Sequence, residues 1–523
     1  MSVKAVLAME TGNSDTAQTP LAGRHNILLT IAIMAGTLMQ VLDTTIANVA
    51  LPHMQASLGA TQDSITWVLT SYIVAAAIAI PITGWLADRV GARQLFLFSV
   101  GLFIVASMLC GISSSLPEMV LFRLLQGIAG AFIAPLAQSV LLDINPPSQH
   151  GRAMSIYGMG IMIGPIMGPI LGGWLTENYS WRWVFYVNLP VGVMCFVGLW
   201  AWLPARGTKK HGFDLSGFAL LGIALASLQL LLDRGVHVDW FHSREIWIEA
   251  GVAASCFWMF VVHLLTNRNP IFPPEMLADR NLVTGTLFLF ILGLVIMAGM
   301  ALLPPMMQNL YGYPVLDTGV LLASRGVGVV ITMALAGRLT DKVEPRLLFL
   351  VGFILMATSL WYMTSWSLEM DWHPIVWSGL LQGLGLGLVF VPLNVVAFAT
   401  LPPQYRTHAA SLLNLSRNMG ASIGIAIVTA LLAMNIQISH ADLAGHITQF
   451  RLPADPNMAL RAGQAGEAVM TAIDAELNRQ AAMIAYIDDF YIMMWVTIAA
   501  LPLVFLLRNP KRTKEDSDIP LLE

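Results

Sequence analysis

The sequence predicts an all-α polytopic membrane protein made of two pseudo-symmetric six-helix bundles plus two extra spans, fourteen transmembrane helices in total. The first observation is composition: 56% of the 523 residues are hydrophobic and only 11% are charged, against roughly a quarter charged in soluble domains. The second is a series of fourteen apolar runs of about 20 residues, the length of a helix that crosses a bilayer. The third is an internal repeat. A bilayer can cover this much apolar surface, whereas a soluble core cannot.

The fourteen apolar runs are separated by mostly short polar connections. Assigning both termini to the cytosol places most of the 27 Lys and Arg residues on the cytosolic side, as the positive-inside rule requires. An odd number of spans would instead place the basic segment 508–512 outside. The approximate cores of the runs are 27–50, 63–84, 95–115, 118–141, 153–175, 184–204, 215–232, 245–265, 282–303, 318–338, 347–366, 375–399, 409–433 and 486–507.

The repeat relates the two halves of the chain. Leu124-Leu125-Gln126-Gly127 recurs as Leu380-Leu381-Gln382-Gly383, and the same offset carries Pro146-Pro147 onto Pro402-Pro403. Two related halves imply a pseudo-two-fold bundle with a site between them. The predicted organisation is a cytosolic tail at 1–25, a six-helix bundle at 26–205, a linker with two extra spans at 206–280, a second six-helix bundle at 281–507 that includes a long outer loop at 435–485, and a cytosolic tail at 508–523.

Several kinds of chemistry have no support in the sequence. The three cysteines lie inside apolar runs without paired or metal-like spacing, so we expect neither disulfides nor a metal site. We find no phosphate-binding loop, nucleophile motif or metal-ligand cluster, which predicts that the protein is not an enzyme, has no cofactor and does not use ATP. The net charge of −4 gives no indication of a nucleic-acid partner. The first 23 residues lack the features of a signal peptide.

A short charged turn separates the second and third apolar runs. A glycine allows the tight reversal of the backbone, arginines hold such a turn in the cytosol, and an aspartate can cap a helix end. A related turn recurs at 337–342. The residues concerned are Gly84, Asp88, Arg89, Gly91 and Arg93.

The fifth run carries glycines at intervals of four, interleaved with prolines. Glycines so spaced line one helix face and let another helix pack closely, while prolines bend the rod. Close packing alone is one interpretation, although the pattern is denser than packing requires. The pattern consists of Gly164-Pro165, Gly168-Pro169 and Gly172-Gly173.

Taken together, the motifs resemble those of the major facilitator superfamily, and within it the fourteen-helix drug:proton antiporter family. The likeness is greatest to EmrB-type multidrug efflux permeases and covers residues 25–508. The resemblance rests on the charged turn and on the Gly-Pro stripe, which resembles the antiporter motif of drug exporters. The other matching segments are the first-span motif at 42–52, Arg123-x-x-Gln126-Gly127, the connection between the fifth and sixth spans at 181–190, Leu303-Pro304 and Arg417-Asn418-x-Gly420. Ala92 stands where the family turn usually has a basic residue, and Arg93 keeps one charge.

Charged residues inside spans are costly in hydrocarbon unless they are paired or hydrated. Asp43 is the one carboxylate predicted to lie well inside an apolar run, and proton antiport needs such a group with an adjustable pKa. A structural hydrogen bond is the alternative. The resemblance implies proton coupling for Asp43 and Arg123, the arginine acting on an acidic partner because a guanidinium keeps its own proton. Arg123 could also be a buried hydrogen-bond hub.

The second half carries buried charges that the first half lacks at the matching positions. Arg325 and Arg417 could bind a polar or anionic substrate, pair with Asp43, or form structural ion pairs. With Gln126 and Asn418 they make up a predicted substrate or charge network. Asp488 and Asp489 open the last predicted span, either as a helix N-terminal cap or as part of the outer mouth.

The outer loop 435–485 is the one long loop predicted outside, and it contains a stretch that can form an amphipathic helix. It could be a lid on the membrane surface. The resemblance implies instead a docking surface for a periplasmic adaptor (a membrane-fusion protein), which would hand substrate to an outer-membrane channel.

The function predicted is proton-coupled secondary export of drugs or other toxic, mostly hydrophobic small molecules, driven by the proton gradient. The expected location is the bacterial cytoplasmic (inner) membrane, with both termini cytosolic. Alternatives are a dedicated exporter of one metabolite, siderophore or fatty acid, and a non-transporting receptor on the same fold. The sequence does not identify the substrate.

Overall fold

The structure, a computed structural model, describes residues 23–507 except 206, 209–211, 236–237, 239, 268, 341–342 and 447–463. In this part of the chain, fourteen helical segments are long and apolar enough to cross a membrane. They are α1 (His25–Leu58), α2 (Trp67–Val90), α3 (Ala92–Ile112), α4 (Leu116–Ile144), α5 (Pro147–Asn178), α6 (Trp183–Trp202), α7 (Leu215–Arg234), α8 (Arg244–Thr266), α9 (Arg280–Asn309), α10 (Val315–Leu339), α11 (Pro345–Met363), α12 (His373–Ala399), α13 (Pro403–His446) and α14 (Met470–Leu506). The predicted fold class and span count are confirmed.

The same packing pattern occurs in both halves. In the first, α1 packs on α5, α2 on α4, and α3 on both α4 and α6; in the second, α9 packs on α13, α10 on α12, and α11 on both α12 and α14. The extra helices α7 and α8 pack on each other, and α7 also contacts α2. Two six-helix bundles of like topology, with two helices inserted between them, are therefore present.

The inserted pair is fixed by Asp214, which caps the start of α7. Its carboxylate accepts hydrogen bonds from the N–H groups of Gly217 (3.0 Å) and Ile271 (3.2 Å), and Nε2 of His263 lies 2.8 Å away. Burial raises the pKa of Asp214, but these hydrogen bonds and the imidazole outweigh burial and leave the pKa below its ordinary value. An ionised Asp214 thus ties the beginning of α7 to the end of α8 and to the segment that follows.

The two bundles touch most closely at one end of the molecule, where α2 turns into α3. Ser155 donates to the carbonyl of Met333, and its repeat partner Ser411 donates to the carbonyl of Ile80, each at 2.6 Å. Arg406 also pairs with Asp143 across the bundles at 2.7 Å. The central space is therefore closed at this end, which we call the gate end.

The outer loop prediction is wrong for much of 435–485. The helix of α13 continues to His446, and the helix of α14 begins at Gln464; residues 447–463 lie outside the described part. Hydrophobicity marks only the apolar part of each helix, so the extension of α13 with its polar face is not recognisable as part of a span. The predicted amphipathic helix after Ala465 lies within this second helix. Residues 1–22 and 508–523, which hold the predicted tails, also lie outside the described residues.

Two local predictions need correction. Asp88 and Arg89 do not lie in a turn but in the last helical turn of α2, which ends at Val90. The reversal is made by Gly91, whose φ of 99° is a conformation that glycine adopts without strain. Asp489 is not near a helix start either, since its helix begins at Gln464.

Candidate functional site

A fully buried ion pair lies inside the first bundle. Oδ2 of Asp43 on α1 lies 2.6 Å from Nη1 of Arg123 on α4, and the two side chains are 0% and 1% exposed. Both side chains are enclosed by the helices of the first bundle, so neither charge is in contact with water in this conformation. The opposite charges of Asp43 and Arg123 compensate each other, which lowers the free-energy cost of burying them. An unpaired charge at this depth would cost far more.

Amide side chains from two further positions complete the environment of Asp43. Its Oδ1 accepts hydrogen bonds from Nε2 of Gln126 (2.7 Å) and Nδ2 of Asn188 (2.8 Å), and both amides also reach the hydroxyl of Ser107. Arg123 in turn donates from Nη1 to Gln126 (2.8 Å) and from Nε to the carbonyl of Val68 (3.0 Å). The network joins α1, α2, α3, α4 and α6.

The network stands directly behind a central cavity. Tyr72 packs its ring over the Arg123 guanidinium, 4.4 Å from the ring centroid, and Tyr72 also lines the cavity. Asp43 and Arg123 themselves do not line it. The Tyr72 ring therefore lies between the Arg123 guanidinium and the space in which a small molecule could bind.

The cavity lies between the two bundles and measures about 260 Å³. Its walls are mostly apolar, with a few polar groups, which is typical of small-molecule sites. The polar wall residues are Thr37, Gln40, Thr44, Tyr72, Asn414, Arg417, Asn418 and Ser422. Residues from α1, α2, α4 and α5 face residues from α9, α12 and α13, so either bundle can change the shape of the site by moving.

The charged residues predicted for the second half are not all brought to this site. Arg417 and Asn418 line the cavity, and Nη2 of Arg417 donates to Asn414 at 3.0 Å. Arg325 lies elsewhere, buried between helices of the second bundle at 7% exposure. The possibility that Arg325 or Arg417 pairs with Asp43 is therefore wrong for this conformation, because Arg123 occupies that role.

The charged segment at the end of α2 meets the second bundle at the gate end. Oδ2 of Asp88 lies 3.2 Å from Nε2 of His408 on α13. The His408 imidazole lies so close to Gly84 that a Cβ at this position would collide with the ring. Arg93 donates to the carbonyl of Trp200 at 2.6 Å, which ties the start of α3 to α6, and Arg89 is exposed.

The Gly-Pro stripe of α5 faces α1. A Cβ on Gly164 would meet Val41, one on Gly168 would meet Thr45, and one on Gly172 would meet Ile46. Gly173 has nothing within 4 Å. Pro165 lines the central cavity, while Pro169 lies one turn further along the same helix. The stripe thus holds α5 against the helix that carries Asp43.

Several residues of the site were not singled out from the sequence. Asn188 belongs to the segment 181–190, where its position in a shared motif was a usable signal. Ser107 and His408 carried no such signal, since a serine in an apolar run and a histidine near a helix start are both common. Asp489 was noted, but its complete burial depends on how α14 packs.

Two like-folded bundles around a cavity, closed at one end, are the architecture of secondary transporters. The family model of the Major Facilitator Superfamily matches residues 33–303 and 286–439, and the chain belongs to this superfamily of membrane transporters. It is 36% identical over 502 residues to the multidrug export protein EmrB of Escherichia coli strain K12, which covers 94% of this chain and 97% of that protein.

Two further comparisons agree with this family. The chain is 32% identical over 496 residues to the fatty acid resistance protein FarB of Neisseria gonorrhoeae, covering 94% of this chain and 98% of that one. The solved structure of the proton:xylose symporter XylE matches with a TM-score of 0.59 at 12% identity, over 91% of this chain and 95% of that chain. At that identity the structural match supports the fold alone.

Proposed function

We propose that this protein is a proton-coupled secondary exporter of drugs or other toxic, mostly hydrophobic small molecules. The observation that carries the proposal is the buried Asp43–Arg123 pair, which lies beside the central cavity with the ring of Tyr72 between the Arg123 guanidinium and the cavity. A carboxylate whose hydrogen-bond donors come from three different side chains, Arg123, Gln126 and Asn188, holds its charge only while those donors stay in place. A rearrangement of α1, α4 or α6 within the first bundle can therefore change the affinity of Asp43 for a proton.

The coupling follows from this arrangement. In the conformation seen here Asp43 is stabilised as a carboxylate by Arg123, Gln126 and Asn188. When Tyr72 moves away and water reaches the pair, a proton can bind Asp43 and release Arg123 from it. Arg123 keeps its proton throughout. Export follows if protonated Asp43 and ionised Asp43 favour conformations in which the cavity opens to opposite sides of the membrane. The proton can shift the equilibrium between these conformations only if it binds one of them more tightly than the other.

The nature of the substrate is supported by the cavity walls and by the relatives. A mostly apolar cavity with few polar groups suits hydrophobic molecules of varied shape, and proteins named for multidrug export match the chain over almost its whole length. The alternative is a dedicated exporter of one metabolite, siderophore or fatty acid. Arg417 on the cavity wall favours an anionic amphiphile among these, in keeping with the name of the fatty acid resistance relative.

We further propose a location in the bacterial cytoplasmic membrane with both termini cytosolic, and a partnership with a periplasmic adaptor and an outer-membrane channel. The 41 residues of the α13 helix span roughly 60 Å at 1.5 Å per residue, about twice the hydrocarbon thickness. The helix of α14 begins equally far out, and His440 contacts Asp474 between them at 3.1 Å. A helical projection of this size on the side away from the gate end can dock a partner.

The experiment that tests the proposal uses the full-length protein reconstituted in liposomes with a pH-sensitive dye inside. Adding compounds from a panel of hydrophobic cations, neutral drugs and fatty acids should produce proton movement in the direction opposite to the compound. A response restricted to fatty acids would establish the dedicated exporter instead. If no compound moves protons and an imposed pH gradient drives no accumulation, the receptor on the same fold becomes the better account.

A further inference from the structure

A second buried carboxyl lies in the other bundle. Asp489 on α14 is 0% exposed, and neither of its carboxylate oxygens has a hydrogen-bond partner. Its helix runs from Gln464 to Ala499, so no free backbone N–H groups of a helix start are available to it. An ionised carboxylate in such surroundings is far less stable than a neutral one. The geometry therefore favours an uncharged Asp489 in this conformation.

Arg325 on α10 is a buried cation in the same bundle, and its Nη2 also lacks a hydrogen-bond partner. Nη2 lies 3.3 Å from the point where a Cβ would stand on Gly299, and Cε of Met493 lies 3.7 Å from the same point. Met493 follows Asp489 by one turn of α14. The two unpartnered groups thus flank the same stretch of α9, although among the described residues they form no ion pair with each other or with any other residue.

The internal repeat allows the surroundings of Arg325 to be compared with the matching position in the first bundle. Gly127 packs on the backbone carbonyl of Tyr72, and its repeat partner Gly383 packs on that of Arg325. Arg325 therefore occupies in the second bundle the position that Tyr72 occupies in the first. In the first bundle the buried cation Arg123 has its carboxylate in contact, whereas in the second the cation and the carboxyl remain apart.

We propose that Asp489 is a second proton-binding carboxyl, which carries a proton in this conformation and releases it when α14 moves and the carboxylate pairs with Arg325. The inference rests on the proposed proton coupling and extends it to the second bundle. On release the O–H bond of the carboxyl breaks, its electron pair stays on the oxygen, and the proton passes to water. The guanidinium stays charged throughout.

Other ionisable groups around Asp489 do not supply the missing cation. The adjacent Asp488 is acidic, and Tyr486 one turn before is neutral at physiological pH. Among the elements packed against α14, Tyr311 after the end of α9 donates a hydrogen bond to the carbonyl of Ser367. His440 of α13 contacts Asp474, further towards the start of the α14 helix. The groups concerned are Tyr311, Tyr362, His440, Tyr486 and Asp488.

The test is infrared spectroscopy of the full-length protein in liposomes without substrate. The wild type should show the C=O stretching band of a protonated carboxyl at neutral pH. That band should be lost in Asp489→Asn, should remain in the matched control Asp488→Asn, and should shift in frequency in Asp489→Glu. A band unchanged by Asp489→Asn shows an ionised Asp489 and overturns the proposal; Asp489→Glu supplies the same answer if the asparagine variant does not fold.

Pairing with Arg325 has its own readout. As the pH is raised, the carboxyl band should persist to higher pH in Arg325→Gln than in the wild type, because the cation that stabilises the carboxylate is gone, and Arg325→Lys should lie between them. Identical titrations in the wild type and Arg325→Gln would refute the pairing. Both readouts are independent of transport. If the protein couples transport to protons but neither the loss of the band in Asp489→Asn nor the shifted titration in Arg325→Gln is seen, the proposed function stands and Asp489 has no part in it.

Discussion

Gln138 and Asn394 are repeat partners of each other, and they touch: Nε2 of Gln138 donates to Oδ1 of Asn394 at 2.5 Å. Two residues related by a pseudo-two-fold operation can meet only where the axis passes. The amide pair therefore marks the axis between the bundles, on the buried faces of α4 and α12 and beside Asn414, which donates to Oε1 of Gln138 at 3.0 Å. Rocking of one bundle on the other must pivot near this contact.

Replacing Asp43 with asparagine should abolish export driven by a pH gradient. Asparagine keeps the size and can still accept from Gln126, but it cannot ionise. Arg123 is then left as a buried charge without a counter-ion, so the thermal stability in detergent should also fall, since breaking such pairs costs about 3–5 kcal/mol in soluble proteins. Binding of a labelled substrate should remain measurable. Unchanged gradient-driven transport in this variant would remove Asp43 from the mechanism.

Arg123→Lys should fail even though it preserves the charge. A lysine has one nitrogen, whereas Arg123 uses Nη1 for Asp43 and Gln126 and Nε for the carbonyl of Val68. The planar stacking on Tyr72 is lost as well. We expect substrate-driven proton uptake to drop at least about tenfold, the equivalent of about 1.4 kcal/mol. Wild-type rates in the lysine variant would show that only the charge is needed.

Gly168→Ala should reduce turnover, and Gly173→Ala should not. A Cβ at position 168 collides with Thr45 of α1, while one at position 173 meets nothing within 4 Å. Overpacking of a tight helix contact costs about 1–3 kcal/mol, and here it would push α5 away from the helix that bears Asp43. Vesicle transport and thermal unfolding of the two variants give the comparison. Equal effects at both positions would mean that the glycines serve no specific contact.

Asp88→Ala should lower turnover much more than substrate binding. Its contact with His408 joins the two bundles at the gate end, so its loss favours opening there and unbalances the cycle. His408→Ala should have the same effect, and the double variant should add little to either, as expected for partners in one contact. Additive losses would show that the two residues act separately. Labelling of a cysteine at position 88 by impermeant reagents on intact cells would overturn the proposed topology.

Shortening the projecting helices should separate transport from resistance. Removing equal numbers of turns from the ends of α13 and α14, on either side of 447–463, keeps both membrane segments in place. We expect gradient-driven transport in vesicles to be retained and resistance to be lost in cells with an intact outer membrane, because the docking surface is gone. A variant that still protects such cells would indicate a stand-alone pump whose projection is a lid.

The membrane class, the fourteen spans and the two related halves can be predicted from the sequence without a structure. These features depend on local hydrophobicity and on repetition along the chain, and neither requires knowledge of contacts. It also supplied Asp43 and Arg123 as candidates, because a charge inside an apolar run is conspicuous without a structure. The sequence also indicates the amphipathic helix after Ala465, but not the continuation of α13 to His446, because that segment is helical without being uniformly apolar.

Which charged residues contact each other depends on how the helices pack in three dimensions. Asp43 could have paired with any of three arginines, and the packing of α4 against α1 selects Arg123, while α10 carries Arg325 into the other bundle. Sequence distance carries no information on such contacts, because they arise from helix rotation and from the closeness of approach that glycines permit. The burial of Asp489 and the meeting of Asp88 with His408, 320 residues apart, were settled in the same way.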